Sequence, residues 1–513
     1  MKRIISLLLC FAMAASLFGC AGEQEYTPTG DALVIEGETV APTEEEAAPK
    51  QYLELAYYPD SSLNPYQSTN YTNRVLFSLL YQGLFATDRN YKSTPVLCGR
   101  YTMTEDMRRY TFYPADATFS DGTKVTVEDI YASLDAAIKG PVYGSRFTHV
   151  AEMALSDDGG IIFALSVAME NLPILLDVPI VKAEEVTSAR PTGTGPYYYE
   201  NAAGGLRLRR RGDWWCTSPD LIVTANSIPL QEVESVLKLR DAFEFSNVGL
   251  ACADPCSDAY VDYRCDYELW DCDNGNFLYL GCNMLSKVFS NAKVRAALTY
   301  AIDRQTIAET YYRGFGLPAT LPASPASPYY NKQLAERYDY DLEKFSQVIS
   351  DEYMLGATIK FLVNKEDSLR LRVARDIAQT LRDCGLVVEM LEFSTKGYTE
   401  TLTYGMYDLY LGQTCLSPNM DLSQFFRYYG TLRYGNVPDN NILALCQQAL
   451  ANSGNYYNLH ETVADDGRIC PILFHNYSIH ATRGLLTGLN PSRDNVFYYT
   501  LGKTMEDVRQ VIE

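Results

Sequence analysis

Histidine is scarce in this chain, with four residues in 513, and no His-Glu-x-x-His, Gly-x-Ser-x-Gly or Walker A sequence occurs. The zinc-hydrolase, α/β-hydrolase and P-loop chemistries therefore lack their local signatures. Basic residues are also few: 43 Lys and Arg against 64 Asp and Glu leave a net charge of −21. That balance argues against a nucleic-acid backbone or an anionic lipid surface as partner. Cysteine is not lacking, at 13, but no Cys-x-x-Cys pair is present. Cys252, Cys256, Cys265, Cys272 and Cys282 crowd together with irregular spacing and no histidine among them, which does not describe a zinc site. Free buried thiols or one or two disulfides remain the alternatives. No metal and no cofactor is expected.

What is present suits a large folded chain. Apolar residues make up 47% and charged residues 21%, well outside the range of disorder, and the length implies two or more packed units. Tyrosine supplies 40 side chains, a surplus suited to core packing and to surfaces for mixed polar and apolar ligands.

The N-terminus sets the compartment. Met1-Lys2-Arg3 is followed by a 15-residue apolar run from Ile4 to Phe18, short of the ~20 residues that span a bilayer. With Leu17-Phe18-Gly19-Cys20 after it, the stretch resembles a secretory signal ending in a bacterial lipobox. Residues 1–20 are expected to be the signal, with Cys20 as the lipid-modified mature N-terminus at the extracytoplasmic face of the membrane. Residues 21–50 carry eight acids against one lysine, with three prolines, and read as an acidic, extended, disordered tether.

Beyond the tether, Tyr52 to Tyr58 reads as a strand, and a helix with Val75, Leu76, Leu79 and Leu80 on one face stops near Gly83. Thr126 and Asp129 have the spacing of a capping box for a helix running to Ile138. Tyr197 to Glu200 and Leu206 to Arg210 read as a hairpin. Ala357 to Val363, a helix from Ser368 to Gly385, and Leu386 to Phe393 form a β-α-β unit. Tyr407 to Leu411 adds a strand. If it is parallel, the stretch from Gly412 to Asn419 lies where open α/β sheets bind ligands. His475 and His480 sit in an apolar, strand-like stretch and read as structural.

Several segments together resemble the peptide/nickel class of extracellular solute-binding proteins, family 5, the receptors of ABC importers. They are Leu63-Asn64-Pro65, Tyr81-Gln82-Gly83-Leu84-Phe85, the stretch from Ala117 to Thr126, Gly193-Thr194-Gly195-Pro196-Tyr197 and the stretch from Val294 to Arg304. The resemblance implies an α/β, two-lobed, periplasmic-binding-protein-like fold of type II, with strand crossovers and a cleft between lobes. Lobe I is expected at residues 51–275 plus 471–513, with a subdomain at about 84–190. Lobe II is expected at 276–470, with crossovers near 278–283 and 469–474. The implied function is capture of a peptide or similar solute by a monomeric lipoprotein that hands it to an ABC permease and ATPase, without catalysis. The rival is a ligand-sensing lipoprotein on the same scaffold that signals to a membrane sensor.

Facing loops at strand ends make Tyr57, Tyr58 and Asn64 candidates from lobe I, and Gln413, Thr414, Cys415, Asn419 and Phe425 from lobe II. Peptide-binding relatives carry an Asp that pairs with the ligand's α-ammonium where this chain has Pro418, so weak dependence on a free amine is expected. Asp421 reads locally as a helix N-cap with Gln424 at N3. No histidine lies between Gly412 and Phe426, which disfavours a nickel-complex ligand.

Overall fold

The computed structural model describes residues 53–217, 221–255, 263–435, 437–498 and 503–513, and the backbone of 33–35. Cys20, most of the acidic segment and Cys256 lie outside the described residues. Within that segment, Leu33–Ile35 pairs antiparallel with Tyr267–Leu269.

Local signals act where the sequence places them. Asn70 caps the helix Tyr71–Leu80 by accepting from the Asn73 backbone N–H, and this helix buries Val75, Leu76, Leu79 and Leu80. The Thr126–Asp129 capping box forms at the head of Val127–Lys139. Asp367 caps Ser368–Asp383, and Gly385 at φ +92° turns the chain into the next strand. The flanking strands Thr358–Asn364 and Val387–Phe393 are parallel, and Leu409–Cys415 lies parallel on the other side of Thr358–Asn364. Their carboxyl ends thus point the same way.

Two long strands organise the molecule. Tyr267–Cys282 and Ile469–Thr482 pair antiparallel along nearly their whole length. The later half of the first pairs with Leu409–Cys415, while the later half of the second pairs with Leu250–Ala253. One sheet therefore runs from Val387–Phe393 through both long strands to Leu55–Tyr57, Ser227–Glu232 and the hairpin Gly205–Arg210 with Tyr197–Ala202. This is a mixed α/β fold of two lobes sharing a pair of crossover strands. Register shifts fall between Asp273 and Asn276 and between Leu278 and Tyr279, so the irregular ladder starts a few residues before the expected stretch 278–283.

A second sheet orders Arg509–Ile512, Cys98–Thr104, Arg109–Pro114, Ile161–Leu165 and Val150–Leu155. Its C-terminal strand, parallel to Cys98–Thr104, is not evident in the sequence reading. One apolar cluster continues from this sheet through Leu55 and Phe277 to Phe425 and Phe426, and another fills the far side around Leu280, Phe361 and Ile472. Among the described residues, Cys98, Cys252, Cys265, Cys272, Cys282, Cys384, Cys415, Cys446 and Cys470 are free thiols.

Candidate functional site

The irregular stretch of the first long strand breaks the regular alternation of side chains, and Asp271, Asp273, Asn274 and Asn276 gather on walls of open space. Asn476 and Tyr477 join them from the second long strand, Cys415 from the end of Leu409–Cys415, and Tyr71 and Arg74 from the first turns of their helix. A loop after the second long strand supplies Arg493 and Asp494. Two chambers result, one of about 350 Å³ and one of about 210 Å³, and Arg493 and Asp494 line both. A further cavity of about 280 Å³, lined by Gln413, Glu366 and His475 among others, lies at the head of Ser368–Asp383.

The chambers are held by charge. Arg74 Nη2 donates to Asp494 Oδ1 at 2.8 Å, and Arg146 pairs with the other carboxylate oxygen. Burial pushes the Asp494 carboxyl up, but Arg146, Arg74 and Arg493 outweigh it and hold the group below the ordinary carboxylate range. Asp177 beside it is raised, by burial first and then by the Asp494 charge. Asp273 accepts from Tyr91 Oη, from Ser324 Oγ at 2.9 Å and from the Gly275 N–H at 2.8 Å. Asn476 Nδ2 donates to Asp271 Oδ2 at 2.7 Å. Arg493 Nη2 donates to Cys415 Sγ at 2.9 Å, and the Tyr71 and Tyr477 rings lie 4.2 Å apart, centre to centre.

Of the candidates read from sequence, Cys415 lines the smaller chamber and Gln413 the separate cavity. Thr414, between them, is partly buried. Tyr57 is buried and its hydroxyl donates to Glu232 Oε1, with burial and then Glu232 raising it to about 12. Tyr58 exchanges backbone hydrogen bonds with the Asn73 side chain. Asn64, 3% exposed, donates to the carbonyls of Val186 and Ser188. Asn419 accepts from Ser417 Oγ, and Phe425 packs edge-on against Tyr279. Asp421 does not cap the short helix Ser423–Phe426, whose N-cap is Leu422 with no side-chain bond. It accepts from the Ser423 N–H and hydroxyl and faces His149, because the chain turns one residue later than the spacing suggested.

Arg74, Asn274, Tyr477, Arg493 and Asp494 carry no motif and are missing from the sequence reading. Pro418, which lines the larger chamber, and Cys415, in the smaller, were singled out there.

The sequence profile of the bacterial extracellular solute-binding proteins, family 5, matches residues 92–436, about two thirds of the chain. The protein belongs to that family. Within it, the chain is 23% identical over 343 residues to the glutathione-binding protein GsiB of Salmonella choleraesuis (strain SC-B67), a match covering 64% of this chain and 66% of that protein's length. The structure of the ABC transporter substrate-binding protein CtaP from Listeria monocytogenes superposes with a TM-score of 0.68 at 18% identity, covering 87% of this chain and 97% of the other. The oligopeptide-binding protein AppA from Bacillus subtilis, in complex with a nonapeptide, gives 0.61 at 18%, covering 88% and 99%. Among the described residues of this family 5 protein, no helix is long and apolar enough to cross a membrane.

Proposed function

We propose that this family 5 protein is the extracytoplasmic receptor of an ABC importer, capturing a peptide or similarly sized solute between its lobes and delivering it to a membrane permease. The observation that carries the reading is the pair of adjoining chambers at the crossover strands, together large enough for a small solute. Their walls come from both long strands, from the helix Tyr71–Leu80 and from the end of Leu409–Cys415, so a bound solute touches both lobes and favours the closed arrangement. The importer role is supported by the likeness to CtaP, an ABC transporter substrate-binding protein, and the solute class by the likeness to the glutathione-binding GsiB and the oligopeptide-binding AppA. No chemical step is assigned to the site: it serves to bind and release.

The reading includes a lipid anchor on Cys20, supported by the charged start, the short apolar run and the Gly19-Cys20 junction. Cys20→Ala is expected to release the protein from membranes or to stall its processing.

Native mass spectrometry of the folded body tests the receptor role. A small molecule retained from the producing cell, with a smaller radius of gyration in its presence than after its removal, is the expected result. A body that carries no solute, and whose shape no cell extract alters, would count against a receptor.

A further inference from the structure

The smaller chamber carries a thiol in the open. Among the free thiols of the described residues, Cys415 is exposed, Cys265 is half-buried and the others are buried. Cys415 ends the strand Leu409–Cys415 opposite Asn276, beside the register shift that sets Asn274 and Gly275 outside the ladder. Its Sγ donates to the Asn274 carbonyl at 3.2 Å and accepts from Arg493 Nη2 at 2.9 Å. Gly275 makes room for that guanidinium, since a Cβ there would stand 2.5 Å from Arg493 Nη1. The sulfur is thus held from two sides while it remains on the chamber wall.

An independent observation points to a guest beside it. Asn274 is 8% exposed, and its Oδ1 accepts from the Asn276 N–H at 3.0 Å. That bond fixes the amide's orientation and leaves Nδ2 as a buried donor without a partner on the same wall. A buried donor of this kind is satisfied when an acceptor enters. The charged residues of the chamber are Arg74, Arg146, Arg493 and Asp494, an excess of positive charge that selects an anionic acceptor.

We propose that Cys415 is a thiol–disulfide exchange site for small disulfides with carboxylate-bearing arms. The Cys415 sulfur attacks as the thiolate, and the Arg493 N–H already rests where that charge develops. A bond forms from Sγ to one sulfur of the guest, and the guest's own S–S bond breaks. The departing sulfur leaves with the electron pair and takes up the proton that Cys415 gave to solvent. Cys415 and one half of the guest end as a mixed disulfide, and the other half leaves as a free thiol. The guest is itself the oxidant, and a small thiol reverses the step. The retained arm lies in the smaller chamber with its acceptor on Asn274 Nδ2, which closes that chamber to solute. The closure rests on the receptor reading above, whereas the exchange does not.

The test uses the full chain, reduced and then freed of reductant, with dithiodiglycolate as the acidic probe and cystamine as the basic one. Peptide mass mapping follows the gain at each cysteine with time. The acidic probe should cap native Cys415 about tenfold faster than it caps the same cysteine in the urea-unfolded chain, and about tenfold faster than cystamine does. Unfolding should abolish the preference between probes. Arg493→Gln should bring the native rate down toward the unfolded one, with a melting temperature to establish that the variant is folded. Native Cys415 capped no faster than unfolded, or by cystamine as fast as by the acid, overturns the proposal, and neither comparison needs a variant. A chain that takes up solute from cell extract should lose it on capping and regain it with dithiothreitol. Solute retained by a capped chain overturns the closure while the receptor reading stands. A reduced chain that takes up no solute counts against the receptor reading, and the mapped rates still decide the exchange.

Discussion

His149 Nε2 lies 2.9 Å from Asp421 Oδ2, and each side chain is only 9% exposed. His149 precedes the edge strand of the small sheet, Val150–Leu155, whereas Asp421 follows Leu409–Cys415 of the large one. Gln424 Nε2 donates to Thr148 Oγ1 at 3.2 Å, and the Glu170 N–H donates to the Leu450 carbonyl at 2.8 Å. These contacts form a clasp between the segments beside the small sheet and those that follow Leu409–Cys415.

The first prediction concerns that clasp. The double variant His149→Ala, Gln424→Ala should enlarge the radius of gyration of the unliganded protein in small-angle scattering, and ligand should restore part of the difference. An unchanged profile would show that the crossover strands alone set the lobe angle. Burial tends to raise the Asp421 carboxyl, but His149 and Ser423 hold it below its ordinary value. Its contribution is therefore present above the ordinary carboxylate pKa and lost as acid takes the pH below it. Asp421→Asn should cost about 1–3 kcal/mol at pH 7 and progressively less toward pH 3.

A second prediction rests on Arg304, which is 4% exposed. Its Nε donates to the Ala319 and Pro471 carbonyls at 3.0 and 2.9 Å, and Nη1 to those of Thr299 and Ile302 at 3.0 and 3.2 Å. The guanidinium thus fastens the start of the second long strand to the helix Arg304–Tyr312. Removing it leaves several buried carbonyls without a donor. Arg304→Ala should lower stability in urea by on the order of 3 kcal/mol, and Arg304→Lys should recover little, since one ammonium cannot span the same fork. A loss below about 1 kcal/mol would mean that water replaces the bonds.

Arg304 also illustrates what sequence could reveal. It ends the stretch from Val294 that resembles the family, and the structure gives it a packing role. The β-α-β unit was legible because Gly385 stops its helix between two apolar, strand-like runs, and the structure adds Asp367 as the cap at the other end. The cleft was not, because its charged wall joins residues 420 positions apart, Arg74 and Asp494, from a helix and an unmarked loop. Tyr57, Asn64 and Phe425 attract notice as polar or aromatic groups at strand ends. Residue type and position near a strand end cannot say whether such a group faces a cleft or the core, and all three are buried.

A third prediction uses Gly467, which ends the helix Tyr456–Asp466 at φ +70°. A Cβ there would stand 2.3 Å from the Arg295 carbonyl carbon and 2.4 Å from the Ala296 nitrogen, both backbone atoms that cannot turn aside. Left-handed backbone and close approach both demand glycine. Gly467→Ala should destabilise by about 1–3 kcal/mol. A melting temperature within a degree of the parent would show that the two helices separate freely at this point.

The last prediction turns on Asp177. Its Oδ2 accepts from the Thr87 N–H at 2.9 Å, and Asp494 is the charge that burial places beside it. Arg74 and Arg146 both engage Asp494, so the protons and charges of this group are unequally shared: Asp494 stays ionised while Asp177 is driven toward its neutral acid. A carboxyl raised by folding binds its proton more tightly in the native than in the unfolded chain. Its contribution to stability is then full at low pH and falls as pH climbs above the ordinary carboxylate value, because ionising the group in place becomes the cost of staying folded. Asp177→Asn keeps an oxygen acceptor for Thr87 and removes that cost. The variant should therefore match the parent near pH 4 and exceed it by about 1 kcal/mol or more at pH 8, read from melting curves across that range. Parallel curves would mean that Asp177 is ionised in the native protein, with Arg146 neutralising both carboxylates. An amide more stable at pH 4 than at pH 8, relative to the parent, would reverse the sign and assign the raised group to Asp494 instead.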